Sequence, residues 1–202
     1  MHLNSSQETG QPHIPVMVSE VLEYLDIRPD GIYLDGTVGA GGHASHILAE
    51  IGTSGKLIGI DRDEEALDIC RKRFSDASST LSLHHGSYDT FQPILDHLGV
   101  DQLNGLLLDL GLSSLQLDSP RRGFSFRHSS ALDLRFDASA GKTAADLIEH
   151  SSADKLTEIF RDFGEERRAR QIAKKIKKMG SITSTDDLRE AIRRSTPPSN
   201  RD

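Results

Sequence analysis

Four short apolar runs, Ile32–Asp35, Lys56–Asp61, Leu81–His85 and Gly105–Leu110, alternate with segments of helical periodicity, and this alternation restricts the fold most. All but Leu81–His85 are apolar at consecutive positions, as in Leu57-Ile58-Gly59-Ile60, so both faces of such strands require cover. Between them the spacing predicts helices. Val18, Val21, Leu22 and Leu25 share one helical face, and further helices are expected over Gly42–Ile51, Asp63–Phe74 and Phe91–Leu98. Acidic residues open the Asp63 segment, where a helix N-terminus favours negative charge. Strands covered on both faces and separated by helices make a parallel sheet, an α/β doubly wound core of Rossmann-like type.

The pattern changes after Leu110, where no strand of comparable quality follows. Asp118–Gly141 is rich in Ser, Arg, Asp and Phe and reads as an irregular, ordered loop. From Thr143 onward the signals are helical, over Ala144–His150, Ala153–Phe163, Glu165–Met179 and Thr185–Arg194, and Thr196–Asp202 reads as a loop. Parallel strands followed by a helical lobe amount to an incomplete sheet, with the fourth strand at an unpaired edge.

With 36% hydrophobic and 27% charged residues over 202 positions, the chain has the composition of a soluble globular protein. Its single cysteine, Cys70, excludes an internal disulfide and suits a reducing cytoplasm; it shares a helix face with Ala66, which predicts a small core residue. No apolar run is long enough to span a bilayer, so no membrane partner is expected, and residues 1–12 read as a polar, disordered leader. The net charge of −7 argues against non-specific coating of nucleic acid. Yet between Arg161 and Lys178 eight Lys or Arg residues face only three acids. That run is either a solvated helix face or a phosphate-contacting surface.

The turn Asp35-Gly36-Thr37-Val38-Gly39-Ala40-Gly41-Gly42-His43 follows a strand and opens a helix. Its glycines let the backbone approach a ligand, and the helix N-terminus presents N–H groups. The spacing is not the G-x-G-x-x-G of a pyrophosphate site, and Asp35 would repel a diphosphate but meet a cationic or amino-bearing ligand. Asp61, at the tip of the second strand, is placed to accept hydrogen bonds from ribose hydroxyls; the alternative is a helix cap. Tyr88 follows the third strand, either near an adenine or at the edge of the core. Asp109 lies near the end of the fourth run ahead of Gly111, Ser113, Ser114 and Gln116, where open α/β sheets bind ligands; in methyltransferases of this architecture that position meets both the methyl donor and the acceptor amine. It would accept a hydrogen bond from that amine; otherwise it caps the loop.

At these residues the sequence resembles the bacterial small-subunit (16S) ribosomal RNA cytosine-N4 methyltransferases, the MraW (RsmH) family. The resemblance is carried in order by His13–Val16, Asp35–His43, Gly59–Asp63, Leu107–Asp118, Arg122–Arg127, Leu132–Asp137 and Phe163–Arg167. Tyr88 stands where the family favours Phe, and Leu115 where it favours Pro.

The resemblance implies a class I methyltransferase core with an inserted helical lobe, and S-adenosyl-L-methionine as cofactor. It implies cofactor contacts at Gly41, Gly42, His43, Asp61, Tyr88, Asp109 and Gln116, to which the loop reading adds Asp35 and Gly39. Asp109 is the expected catalytic residue, and no metal is expected. Residues 13–118 would form the cofactor-binding core, 119–142 a substrate-side loop and 143–202 the helical lobe. Arg121, Arg122 and Arg127 beside Phe124 and Phe126, with Arg167, Arg168 and Lys174, are the expected RNA contacts. Family members continue past the point where Asn200-Arg201-Asp202 ends this chain, which reads as a truncation or as strands supplied by a partner or by the swapped subunit of a homodimer. The partner implied is small-subunit ribosomal RNA, free or in the assembled subunit. Two other functions stay in view: a non-catalytic S-adenosylmethionine-binding fragment, and a nicotinamide-dependent dehydrogenase, which the glycine spacing and Asp35 disfavour.

Overall fold

The computed structural model describes residues 15–195. The expected leader, the first two residues of the His13–Val16 block and the Thr196–Asp202 loop lie outside the described residues. The chain divides into two compact units, with the division between Gly111 and Leu112.

The first unit runs α1 (Val18–Leu25), β1 (Ile32–Asp35), α2 (Gly42–Glu50), β2 (Lys56–Asp61), α3 (Glu64–Arg73), β3 (Leu81–His85), α4 (Phe91–Leu98) and β4 (Gly105–Leu107). All strand pairs are parallel, in the order β3-β2-β1-β4. Side chains alternate across a strand, so each strand feeds two cores. Tyr33 and Leu57 join Val38, Ala44, Ile47, Ile51, Leu67 and Cys70 on one face. Leu34, Ile58 and Ile60 join Leu95 and Val100 on the other. Ala66 and Cys70 are both buried, as their shared helix face predicts. Gly59 has a packing reason within β2: a Cβ there would stand 2.7 Å from Leu83 and 3.0 Å from Val38. Asp63, and not Asp61, caps α3, accepting from the Glu65 amide.

The fourth strand is shorter than the expected Gly105–Leu110. It ends at Leu107, whose carbonyl accepts from the Gly36 amide as β1 turns away. Beyond that point no strand among the described residues pairs with the chain, and Leu110 is 65% exposed. Leucine content alone does not make a strand where no ladder partner exists.

The second unit holds α5 (Ser114–Asp118), an irregular stretch from 119 to 143, and α6 (Ala144–His150), α7 (Ala153–Asp162), α8 (Ala169–Met179) and α9 (Thr185–Ser195). Leu132, Ile148, Leu156, Ile172, Ala173, Ile176, Ile182 and Ala191 make its core. In α8 the buried Ala169, Ile172, Ala173 and Ile176 recur at helical spacing, which leaves the basic residues outside. Helix α8 begins later than the expected Glu165, because Glu165 takes a left-handed φ of 50° and breaks the run. Helix α5 was not expected: Ser113 and Gln116 form a capping box, and this reciprocal pair nucleates a short turn of helix.

Candidate functional site

In a parallel sheet all strands point the same way, so the residues closing β1, β2 and β4 and the turn after β3 collect at one edge. The loop after β1 is bent by Gly39, with φ 53°, and by Gly41, with φ 84°. At Gly41 a Cβ would sit 2.4 Å from the Phe74 ring, so only glycine fits there. Gly42 and His43 begin α2, and the N-cap Gly41 supplies no side chain to the first helical turn. The first turn of α2 therefore has no side-chain cap.

Carboxylates hold this loop from below. Asp35 is buried; its Oδ1 accepts from the Thr37 amide at 3.0 Å and from the Thr37 hydroxyl at 3.4 Å. Burial, with the charges of Asp61 and Asp109 adding to it, pushes the Asp35 carboxyl up to about 7 against those two hydrogen bonds. Asp61 receives the Gly39 amide on Oδ2 at 2.8 Å and the Asp63 amide on Oδ1 at 2.9 Å. Burial raises its carboxyl above the ordinary range as well. A carboxylate oxygen accepts more than one hydrogen bond, so Asp61 retains acceptor capacity for hydroxyls.

Asp109 lies just past β4. Its amide donates to the Thr37 hydroxyl at 2.8 Å, and its Oδ2 stands 3.5 Å from Nε2 of the buried His43. Its side chain remains 49% exposed, held on one side and open on the other. Tyr88 follows β3 with a half-exposed ring, and a Cβ on Gly36 would meet the Tyr88 Cβ at 2.8 Å. Gly36 thus lets the Tyr88 turn close against the loop.

Two contributors escaped the sequence reading. Thr37 links Asp35 to Asp109 through one hydroxyl. Arg73, in the last turn of α3, donates from Nη1 to the Gly41 carbonyl at 3.1 Å while its guanidinium lies over the Phe74 ring. Thr37 lies inside the loop motif, but nothing local marks its partner past β4. Arg73 carries no local signal at all, because its contact spans the first βαβ unit. The resulting edge combines carboxylates, helix amides and a glycine turn, so it suits a ligand bearing positive charge and hydroxyls and repels a diphosphate.

The second unit carries the remaining predicted residues. The Gln116 side chain is buried and its Oε1 accepts from the Ser113 amide at 3.1 Å in the capping box. Arg122 is a correction to the expected RNA contacts. Its guanidinium is buried and donates to the carbonyls of Arg135 and Phe136, which ties the irregular stretch together. Phe124 packs edge-on against Phe136 at 5.5 Å, whereas Phe126 is exposed. The two rings thus differ, Phe124 partly buried against Phe136 and Phe126 open to solvent. Arg121, Arg127, Arg167, Arg168 and Lys174 are exposed.

A family profile described as the MraW methylase family matches residues 10–202. The ribosomal RNA small subunit methyltransferase H of Syntrophotalea carbinolica is 44% identical over 188 residues, covering 92% of this chain and 60% of the relative. The protein of the same name from Pelobacter propionicus is 48% identical over 165 residues, covering 81% of this chain and 53% of the relative. The chain therefore spans little more than half the length of these curated relatives. Among solved structures, Aeropyrum pernix fibrillarin with natively bound S-adenosyl-L-methionine aligns with a TM-score of 0.36 at 21% identity, over 52% of this chain and 47% of that one.

Proposed function

The chain belongs to the MraW methylase family, and from that premise we propose that it is the donor-binding and RNA-contacting part of an S-adenosylmethionine-dependent methyltransferase acting on the N4 amine of a cytosine in small-subunit ribosomal RNA. The observation that carries the reading is Asp109, half-exposed past β4, with its amide on Thr37 and its carboxylate beside His43.

The methyl donor is S-adenosylmethionine, which supplies a methyl group on a cationic sulfur that leaves as a neutral thioether. The chemistry of the donor set fits it. Asp61 offers acceptor capacity to ribose hydroxyls, and Tyr88 offers a ring for the adenine. The α2 N-terminus at Gly41, Gly42 and His43 suits the methionine carboxylate, and Asp35 the cationic part of the molecule. Asp109 accepts a hydrogen bond from the exocyclic amine, which directs the nitrogen lone pair; its carboxylate stabilises the developing positive charge and is placed to receive the proton that the nitrogen sheds. Much of the rate comes from holding nitrogen, carbon and sulfur in line. The target cytosine leaves its stack to reach that position. In the second unit Arg121, Arg127, Arg167, Arg168 and Lys174 contact the RNA backbone. Such a substrate implies a cytoplasmic protein working beside the ribosome.

Calorimetric titration with S-adenosylmethionine and with NAD tests the donor site, and binding of NAD alone overturns it. Labelled methyl transfer is then measured on free small-subunit RNA and on assembled subunits, followed by digestion to nucleosides. N4-methylcytidine as the labelled product supports the reading. Donor binding with no transfer to either substrate supports the non-catalytic alternative, and label on another nucleoside overturns the N4 assignment.

A further inference from the structure

The turn between α7 and α8 presents an aromatic ring that the fold does not use. Phe160, on the preceding helical turn, packs against the core of the second unit. Phe163 caps the C-terminus of α7 with its amide on the Ile159 carbonyl at 3.1 Å, yet it is 87% exposed. Burying a Phe side chain is among the larger hydrophobic gains a fold can make, and this ring forgoes it.

Its backbone is well tied. The Glu166 amide reaches back to the Phe160 carbonyl at 3.0 Å, and the Arg168 amide donates to the Glu166 carboxylate at 2.7 Å. Gly164 accommodates this closure, since a Cβ there would stand 2.8 Å from the Phe160 carbonyl oxygen. The ring is therefore displayed from a fixed turn.

The chain on the C-terminal side of the ring is cationic. Arg167, Arg168, Arg170 and Lys174 are exposed, and among the described residues none of them is held in an ion pair. Arg161, on the other side of the ring, is matched by Asp162 at 2.7 Å, and Glu165 is an exposed acid inside the turn. Ring and cations together make the pattern that single-stranded nucleic acid recognises: a π face for a base and positive charges for the adjoining phosphates. Duplex RNA hides its base faces in the stack and offers nothing for such a ring.

We propose that Phe163 is a stacking platform for one unpaired base of the RNA, with Arg167, Arg168 and Lys174 holding the flanking phosphates, so that the second unit selects single-stranded over duplex RNA. This inference rests on the RNA-contacting role proposed for the basic run, and it adds the base-stacking group and the strandedness of the substrate.

The chain contains no tryptophan, so Phe163→Trp introduces a single indole at the proposed contact. The variant is titrated with a short single-stranded RNA and with the corresponding duplex, following indole emission and RNA anisotropy together, with calorimetric S-adenosylmethionine binding as the check on folding. Expected are quenching by the single strand without quenching by the duplex, and a single-strand affinity weakened by about 5- to 100-fold in Phe163→Ala, as loss of one stacked base implies. RNA binding that saturates by anisotropy while the indole stays unquenched overturns the platform and leaves the basic surface standing. Equal affinity for single strand and duplex overturns the selectivity. Failure of the unsubstituted chain to bind either RNA removes the inference together with the RNA-contacting role. A concentration-dependent blue shift of the indole without RNA overturns the platform and reassigns Phe163 to a protein interface.

Discussion

The strand ends of the first unit take carboxylates out of water, and the basic turn of the second displays its cations. Asp35 is buried at the end of β1 and Asp61 is largely covered, whereas Arg167, Arg168 and Lys174 stand in solvent along the start of α8. Burial costs solvation but fixes position, and a small ligand with a few charges at set places requires fixed partners. A polynucleotide backbone carries charge at every step, so solvated cations on flexible stems recognise it without exact placement. The bonds divide in the same way. The loop of the first unit is held across long sequence separations, by Asp61 to Gly39, Thr37 to Asp109 and Arg73 to Gly41. The basic turn of the second is held by neighbours such as Glu166 and Phe160.

The comparison breaks if a substitution in one unit alters the readout of the other. Asp109→Ala is the severest case: methyl transfer falls by about 100- to 1,000-fold or more, as when a preorganised electrostatic partner is removed. Donor binding by calorimetry falls by much less, and equal losses in both would contradict the role given to Asp109.

Asp35 provides the next effect through pH. Its folded-state carboxyl is raised from 3.8 to about 7, so the folded chain holds that proton more tightly than the unfolded one. The contribution to stability is full below pH 4 and is lost as pH rises to about 7, a change on the order of a few kcal/mol at 1.4 kcal/mol per unit. Urea denaturation at pH 5 and pH 8 measures it, and Asp35→Asn should flatten the difference. A cationic donor beside Asp35 reverses the preference, so S-adenosylmethionine binding near pH 6.5 should release protons, seen as a dependence of binding heat on buffer ionisation enthalpy.

Gly41→Ala combines a left-handed φ with a Cβ inside the Phe74 ring. It should cost roughly 1–3 kcal/mol in urea denaturation and weaken donor binding. Single-strand RNA affinity is its control and should not change. The mildest effect is expected for Arg167→Glu with Arg168→Glu. RNA affinity falls by about tenfold in low salt, and the slope of log affinity against log salt drops by about 0.7 for each lost contact. Donor binding stays constant.

Much of the first unit was legible because β1 and β2 are largely apolar and its turns are marked by glycine and aspartate. Ile32–Asp35, Lys56–Asp61 and Leu81–His85 stand where the runs placed them. The fourth strand was overread because Leu108 and Leu110 look like strand residues, while pairing is decided by a neighbour that the run itself cannot reveal. Arg122 was misread for a related reason. An arginine between polar residues suggests solvent, and only the carbonyls of Arg135 and Phe136, brought back by the irregular stretch, explain its burial. Phe124 and Phe126 are indistinguishable by composition, and only the structure shows Phe124 against Phe136 and Phe126 in solvent.

The sequence by itself determined most of the elements, the parallel sheet and the acids that end β1 and β2, because apolar periodicity and glycine turns act over a few residues. Only the tertiary structure decided what those acids do. Asp61 receives Gly39, Asp63 takes over the capping of α3, and one threonine hydroxyl joins Asp35 to Asp109. Hydrogen bonding and desolvation depend on which groups meet in space, and a parallel sheet brings together strand ends that lie far apart along the chain.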